Sequence, residues 1–357
     1  MKIILDLQYQ HMIKLPLSSD DMNRLPGSSW INLFYAGISA LDHEILFSGN
    51  ISEDEEVTGA LLISEMFTSY TDKMMKKGAI PFLVFSQESP NVSKSFYKTY
   101  TVKYNYQYAY LFPGSFDFFG RLEHNIDLFW PNSTTNLPER QEQKDIFIGM
   151  IASNKQTFNR RFSFLPTKLE QFIKSVAWKN YFKRLSHSGY TDLYFKRLQA
   201  IDYFSGFSDF SLYGRGWNQM NTLSKELFDK IQKIKPLEIE NKMEILSKMK
   251  FSICFENFIF PGYVTEKIFD CLLTGAIPIY LGAPDIEKYV PEAAFIDGRK
   301  FSSFSEINQY VRALKQDEVL ALQQAGRDFL SSPDYSRFTD VAFADQMLQL
   351  VVGLNAY

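Results

Sequence analysis

Cysteine is nearly absent from this chain: two occur among 357 residues, Cys254 and Cys271, both inside apolar runs. Two such residues exclude a disulfide framework and read as buried small side chains in a reducing compartment. Histidine is almost as scarce, with four scattered copies, none paired at ligand distance along a helix, so no metal-binding spacing is available. Excess positive charge is also missing. A formal net charge of −3 argues against a nucleic-acid partner, which would need a basic face. No apolar stretch approaches bilayer-spanning length, and the opening MKIILDLQYQ lacks the apolar core of a signal peptide. The chain is therefore expected to be soluble, with at most peripheral membrane contact. Internal repeats and low-complexity tails are absent too. What is present is a 45% hydrophobic composition, enough to bury a large core over two domains.

The most informative stretch is Phe251 to Leu281, FSICFENFIFPGYVTEKIFDCLLTGAIPIYL. A strand-length apolar run is followed by a loop broken at Pro261-Gly262. Ile268, Cys271 and Leu272 then fall at helical spacing, Gly275 marks a helix stop, and a second apolar run closes the unit. Strand, loop, helix and strand in this order make one parallel β-α-β unit. Its polar residues, Glu256, Asn257, Tyr263, Thr265, Glu266 and Lys267, all fall between the first strand and the first helical turn. Ligands bind at that corner because N–H groups at a helix N-terminus point outward and favour an anion. Lys267 opposes the usual dipole preference there, which makes sense if its ammonium reaches a phosphate. A capping Thr265 beside a solvated Glu266–Lys267 pair accounts for the same residues equally well.

The rest of the chain alternates strands and helices. Lys2 to Leu5 and Glu44 to Phe47 read as strands. Between them lies a helix capped by Ser28 or Ser29, with Trp30, Leu33, Phe34, Ile38 and Leu41 on its apolar face. A second helix is expected over about Val57 to Lys76, then a strand over Pro81 to Phe85. This alternation predicts an α/β domain over residues 1–141. After Phe85 comes the polar loop SQESPN, where Glu88 stands at the C-terminal end of a strand, the usual site position in an α/β sheet. A carboxylate there can take a proton from a hydroxyl, although a solvated turn glutamate before Pro90 is the commoner outcome of such spacing. Tyr97 to Trp130 is dense in aromatics, more often core than ligand platform. The polar run Pro131 to Lys144 has linker composition and sets the domain boundary.

A second domain over residues 142–335 opens with a strand at Ile146 to Ile151. Its loop carries Ser153, Asn154, Lys155, Arg160 and Arg161 ahead of a helix from about Thr167 to Phe182. Arg160 or Arg161 can fork onto a diphosphate bidentately. Another strand, Asp209 to Tyr213, runs into a Gly214-Arg215-Gly216 turn whose glycines permit close backbone approach. Leu223 to Met249 reads as a lysine-rich helical outer layer, and Ile307 to Phe329 as helix. Residues 336–357 hold a short amphipathic helix, expected by analogy to pack back on the first domain.

CFEN, then GYVTEKI, then IPIYLGAP closely resemble the donor-binding signature of the bacterial-type α1,3/4-fucosyltransferases, glycosyltransferase family 10. The resemblance covers the second domain well and the first only around Glu88. It implies two Rossmann-like domains facing a cleft, the GT-B arrangement, with GDP-fucose as donor substrate at Asn257, Tyr263, Glu266 and Lys267. Family members also carry a Ser-Asn pair before an arginine, which Arg160 matches better than Arg161. ESP after an apolar strand matches the general-base position, so the resemblance makes Glu88 the catalytic base of a single inverting displacement.

The implied reaction moves L-fucose to O3 or O4 of N-acetylglucosamine in a lactosamine-type oligosaccharide acceptor, making Lewis-type structures on a surface polysaccharide. No Asp-x-Asp triplet occurs, so no obligatory metal or cofactor is expected and cationic side chains would hold the diphosphate. A chain opening directly on Met and a strand resembles the bacterial, cytoplasmic members and not the anchored Golgi ones. The alternatives are another inverting GT-B nucleotide-sugar transferase, or a catalytically inactive glycan-binding protein of the same fold. A retaining enzyme would usually show two glutamates eight positions apart. Here Thr274 follows Glu266 at that offset, and Val264 follows Glu256.

Overall fold

The computed structural model describes residues 1–7, 10–24, 27–52, 54–64, 68–88, 90, 93–103, 105–133, 144–154, 191–220 and 223–353. Its contacts divide the chain into two compact units. The first comprises Met1–Thr135, Pro261–Glu266 and Pro333–Tyr357; the second comprises Asn136–Phe260 and Lys267–Ser332.

In the first unit the elements are β1 (Lys2–Asp6), α1 (Ser19–Arg24), α2 (Ser29–Ala40), β2 (Glu44–Phe47), β3 (Gly59–Ser64), α3 (Ser69–Lys76), β4 (Ala79–Phe85), α4 (Lys94–Lys103), β5 (Tyr108–Leu111), α5 (Ser115–Phe119) and β6 (His124–Asp127). The strands form one parallel sheet in the order β2-β1-β3-β4-β5-β6. Helical crossovers join most of them, as parallel pairing requires. The helix expected over Val57 to Lys76 is corrected to a strand followed by a shorter helix. All six residues of β3, GALLIS, are buried because β3 lies between β1 and β4. A short apolar run buried on both faces has the same sequence signature in a strand as in a core helix. On α2, Ile31 is buried with Trp30, Phe34 and Ile38, whereas Leu33 and Leu41 are 42% and 43% exposed. The aromatic stretch supplies core: Phe96, Tyr97, Tyr100 and Phe116 pack with Ile4, Leu61 and Val84. Burial pushes the Tyr100 hydroxyl up to about 12.

The second unit holds β7 (Ile146–Ile151), β8 (Thr191–Asp192), α6 (Tyr194–Phe204), β9 (Phe210–Tyr213), α7 (Lys225–Lys233), α8 (Lys242–Ser247), β10 (Met249–Phe255), β11 (Phe258–Ile259), α9 (Glu266–Thr274), β12 (Ile277–Leu281), β13 (Ile296–Asp297), α10 (Phe304–Ala313) and α11 (Gln316–Leu330). Its parallel sheet runs β13-β12-β10-β7-β9, and β8 and β11 form a small antiparallel pair. Leu223 to Met249 is two helices and not one. Lys235 takes a positive φ of 48° before Pro236, and Met249 already belongs to β10. Ile307 to Phe329 likewise breaks between α10 and α11, where Leu314 and Lys315 take extended backbone. The helix expected over Thr167 to Phe182 lies outside the described residues.

The chain then returns to the first unit through α12 (Pro333–Ser336) and α13 (Asp340–Val352). The Phe343 ring on α13 lies 4.8 Å from Trp30 of α2 and 5.0 Å from Tyr110 of β5. Asn132 bridges the same region, its N–H donating to the Phe338 carbonyl at 2.9 Å and its carbonyl accepting from Asp340 N–H at 3.1 Å. The boundary expected at residue 141 falls in the undescribed stretch 134–143. One segment differs from the expected division, because Pro261–Glu266 is counted with the first unit. The cause is small residues in close approach. A Cβ on Gly262 would meet Pro113 Cδ at 2.7 Å, one on Gly114 would meet Pro261 Cβ at 2.7 Å, and Tyr263 packs edge-on to Phe112 at 5.0 Å. Among the described residues, no helix is long and apolar enough to cross a membrane.

Candidate functional site

The C-terminal ends of β7, β9 and β10 converge in the second unit, and the residues that close these strands are polar. Asn154, three residues past β7 and 5% exposed, ties its own loop to the one after β9 and to the start of α6. Its Nδ2 donates to the carbonyls of Gly216 and Gln219 at 2.9 Å each, and its Oδ1 accepts from the Tyr194 hydroxyl at 2.9 Å. The Gly214-Arg215-Gly216 turn makes the close approach read from its glycines. Gly214 sits at φ 124°, and a Cβ there would lie 2.7 Å from the carbonyl carbon of Ala152, a position only glycine fills without strain.

At the end of β10, Glu256 is fully buried and accepts a hydrogen bond from Lys267 Nζ at 3.2 Å. The lysine belongs to the first turn of α9 and keeps 23% of its side chain exposed. A carboxylate removed from water needs a cation or several donors, and this pairing is one such partner. Asn257, half-buried, accepts at Oδ1 from Arg197 Nη2 at 2.6 Å, and the same guanidinium group donates to the Glu256 carbonyl at 2.6 Å. The Asn257 carbonyl in turn accepts from Leu193 N–H at 3.1 Å. Behind this corner, Cys254 and Cys271 face the α9 side of the sheet as two buried, unbridged thiols. Burial, reinforced by the neighbouring Cys271 thiol, pushes the Cys254 thiol well above its ordinary range.

Two of the residues singled out in the sequence, Asn257 and Lys267, are thus brought together around Glu256 within one unit. Tyr263 is 1% exposed and, like Glu266, belongs to the segment counted with the first unit. Glu88 lies in the first unit just past β4. Its N–H donates to Ser86 Oγ at 3.2 Å, and its carbonyl accepts from the Tyr97 hydroxyl at 3.0 Å. These bonds fix the backbone of the turn, and the residue as a whole is half-buried. Arg160 and Arg161 lie outside the described residues.

Sequence reasoning missed Arg197, and a signal for it existed. Tyr194, Arg197, Leu198, Ile201 and Phe204 are the buried stripe of α6 at a three-four spacing. An arginine inside an apolar stripe is a buried cation, and buried cations are paired. Arg197 is 6% exposed. It and Lys267 place two positive groups at one strand-to-helix corner, the electrostatics suited to a diphosphate.

Comparison with solved structures gives the class first. The chain superposes on a crystal structure of an alpha1,3-fucosyltransferase with GDP-fucose at a TM-score of 0.51 and 15% identity, covering 98% of this chain and 90% of that one. Together with the two parallel sheets, this shows the fold of the GT-B glycosyltransferases. Residues 185–323 match the model of the glycosyltransferase family 10 (fucosyltransferase) C-terminal region. That segment includes Arg197, Asn257, Tyr263, Glu266 and Lys267 and begins after Arg160 and Arg161. An alpha-(1,4)-fucosyltransferase of Arabidopsis thaliana is 43% identical over 74 residues, which is 21% of this chain and 18% of that protein. The alpha-(1,3)-fucosyltransferase FucT of Helicobacter pylori is 42% identical over 76 residues, 21% of this chain and 16% of that protein. The match thus spans less than a fifth of either relative's length.

Proposed function

We propose that the chain is an inverting fucosyltransferase that moves L-fucose from GDP-β-L-fucose to a hydroxyl of a glycan acceptor. The observation that carries this reading is the buried corner of Arg197, Asn257, Glu256 and Lys267, lying wholly within the family 10 domain. In the proposed step the acceptor oxygen attacks C1 of fucose as the bond from C1 to the phosphate oxygen breaks. GDP leaves with the electron pair, and Glu88 takes the hydroxyl proton. Arg197 and Lys267 oppose the charge that grows on the diphosphate, and such preorganised stabilisation is usually the largest contribution to rate. Asn257, Tyr263 and Glu266 would hold the ribose, phosphate or fucose oxygens.

Arg197 is favoured over Arg160 as the arginine of the diphosphate site, because it already contacts Asn257. Arg197→Lys should weaken GDP binding by roughly tenfold or more, since an ammonium loses the fork geometry. Arg160→Lys tests the other assignment in the same assay.

The acceptor proposed is O3 or O4 of N-acetylglucosamine in a lactosamine-type glycan. Relatives named for each linkage match over stretches of similar length, so the regiochemistry is assigned to residues outside them. Incubation with GDP-fucose and a panel of lactosamine acceptors should release GDP and give an α-linked product whose linkage NMR reads directly. With the charge carried by side chains, a chelator should leave the rate unchanged. GDP binding without release on any acceptor would replace this reading with that of an inactive glycan-binding protein.

A further inference from the structure

The loop that follows β12, Gly282 to Glu287, borders the nucleotide corner and is tied down by one side chain from outside it. Arg299 stands two residues past the end of β13, the neighbour of β12 at the edge of the sheet. Its Nη1 donates to the Pro284 carbonyl, and its Nη2 donates to Glu287 Oε1 at 2.7 Å. Asp297 holds the same group from its own strand. Arg299 Nε donates to both Asp297 oxygens at 2.9 and 3.0 Å, and Nη2 donates to Oδ2 at 2.7 Å. All three guanidinium nitrogens are thus engaged within the second unit.

These bonds do two different things. Asp297 is 8% exposed, and a carboxylate so far from water needs a cation. The bonds to Pro284 and Glu287 are not needed for that purpose, and they fasten the loop after β12 to the end of β13. With two carboxylates opposing it, the guanidinium is not itself suited to a diphosphate.

The same loop meets the corner directly. Glu256 N–H donates to the Leu281 carbonyl at 2.8 Å, and Ala283 N–H donates to the Tyr280 hydroxyl at 3.0 Å. Gly282 lies so near Glu256 that a Cβ on it would overlap Cγ, and Glu256 accepts from Lys267 Nζ at 3.2 Å. A series of contacts therefore runs from Arg299 through Pro284 and Gly282 to Glu256 and Lys267.

We propose that Arg299 is a positioning residue for the nucleotide site, pinning the loop against which Glu256 packs and so setting where the Lys267 ammonium stands. This rests on the reading of Lys267 as a ligand of the diphosphate. Arg299 touches neither the nucleotide nor the sugar in this scheme, and acts only through the loop.

The test is calorimetric titration of the full chain with GDP, in a cycle of Arg299→Gln and Lys267→Ala. Arg299→Gln should weaken GDP binding by roughly fivefold or more, the size of one lost net hydrogen bond. In the Lys267→Ala background the same change should cost about twofold or less, because the residue it acts through is gone. Arg299→Lys separates position from stability. An ammonium keeps a cation beside Asp297 but cannot reproduce the planar fork, so the melting temperature should recover while GDP affinity stays low. Unchanged affinity in Arg299→Gln, an equal loss in both backgrounds, or recovery of affinity in Arg299→Lys would each overturn the proposal. Full GDP affinity in Lys267→Ala would remove the diphosphate reading of Lys267, and this proposal with it. A loss in Lys267→Ala with none in Arg299→Gln removes Arg299 alone.

Discussion

Gly282→Ala should damage both the stability of the second unit and its grip on GDP, through a single methyl group. Gly282 follows β12 directly, and a Cβ built on it would overlap Glu256 Cγ and the Tyr280 hydroxyl, with Tyr280 Cζ at 2.7 Å. Neither neighbour has room to yield: Tyr280 is 1% exposed and Glu256 0%, and the Tyr280 hydroxyl accepts from Ala283 N–H at 3.0 Å. Overpacking of a tight core costs about 1–3 kcal/mol. If Glu256 is the side chain that moves, its pairing with Lys267 is disturbed as well, and breaking a buried ion pair costs about 3–5 kcal/mol. At roughly 2–4 °C per kcal/mol for a unit of this size, calorimetry should show a fall in Tm of several degrees. A charge-assisted hydrogen bond is worth about 1.5–3 kcal/mol, so a displaced Lys267 should weaken GDP binding by roughly 10- to 100-fold. The double variant with Glu256→Ala separates the two routes, because removing Cγ relieves the overlap with Glu256, leaves the one with Tyr280, and makes the pair of changes non-additive. Wild-type melting and wild-type GDP affinity in Gly282→Ala would refute the claim that Glu256 sets the position of Lys267.

Three further outcomes are expected. Glu88→Gln should lower kcat by roughly 10²–10⁴-fold, the range for loss of a general base, with GDP affinity within twofold or so by calorimetry; normal turnover would remove Glu88 from the mechanism. Phe343→Ala on α13 should destabilise the first unit by about 3–5 kcal/mol, since its ring contacts Trp30 and Tyr110, and a thermal melt unaltered by the change would show that α13 is not anchored there. Asp209 is held below the usual carboxylate range mainly by the hydrogen bond from Arg312, whose two Nη groups donate to its two oxygens at 2.8 Å each. A lowered folded pKa means this stability is present above the unfolded value of about 3.9 and is lost as pH falls through the folded one. With 38% of the Asp209 side chain exposed, the effect is about 1 kcal/mol or less, so Asp209→Asn should melt slightly lower at pH 7 and the gap should close below about pH 4.

How much of this was readable in advance varied with the kind of signal. The β10-α9-β12 unit was legible because its period changes from strand to helix and back within one stretch, and Gly275 stops the helix at φ 76°. GALLIS was not, because burial on both faces erases the alternation that marks a strand. Lys267 stood out as a cation in the wrong turn of a helix, whereas Arg197 was hidden in a segment that carries no motif. Its partners lie some 60 positions downstream, and only the spacing of its apolar neighbours marks it as buried. The place of Pro261–Glu266 depends on glycines at two distant loops, Gly114 and Gly262, and no local pattern encodes that meeting.

The scarcity of thiols gives the chain a built-in clock. Cys254 and Cys271 are 4% and 2% exposed, and a thiol kept out of contact with solvent reacts slowly with alkylating reagents. Each alkylation event therefore records a moment when the strand carrying one sulfur and the helix carrying the other have parted. Counting labelled molecules against time, with and without GDP, would time the breathing of the fold at the place where the nucleotide is proposed to sit, without adding a foreign probe.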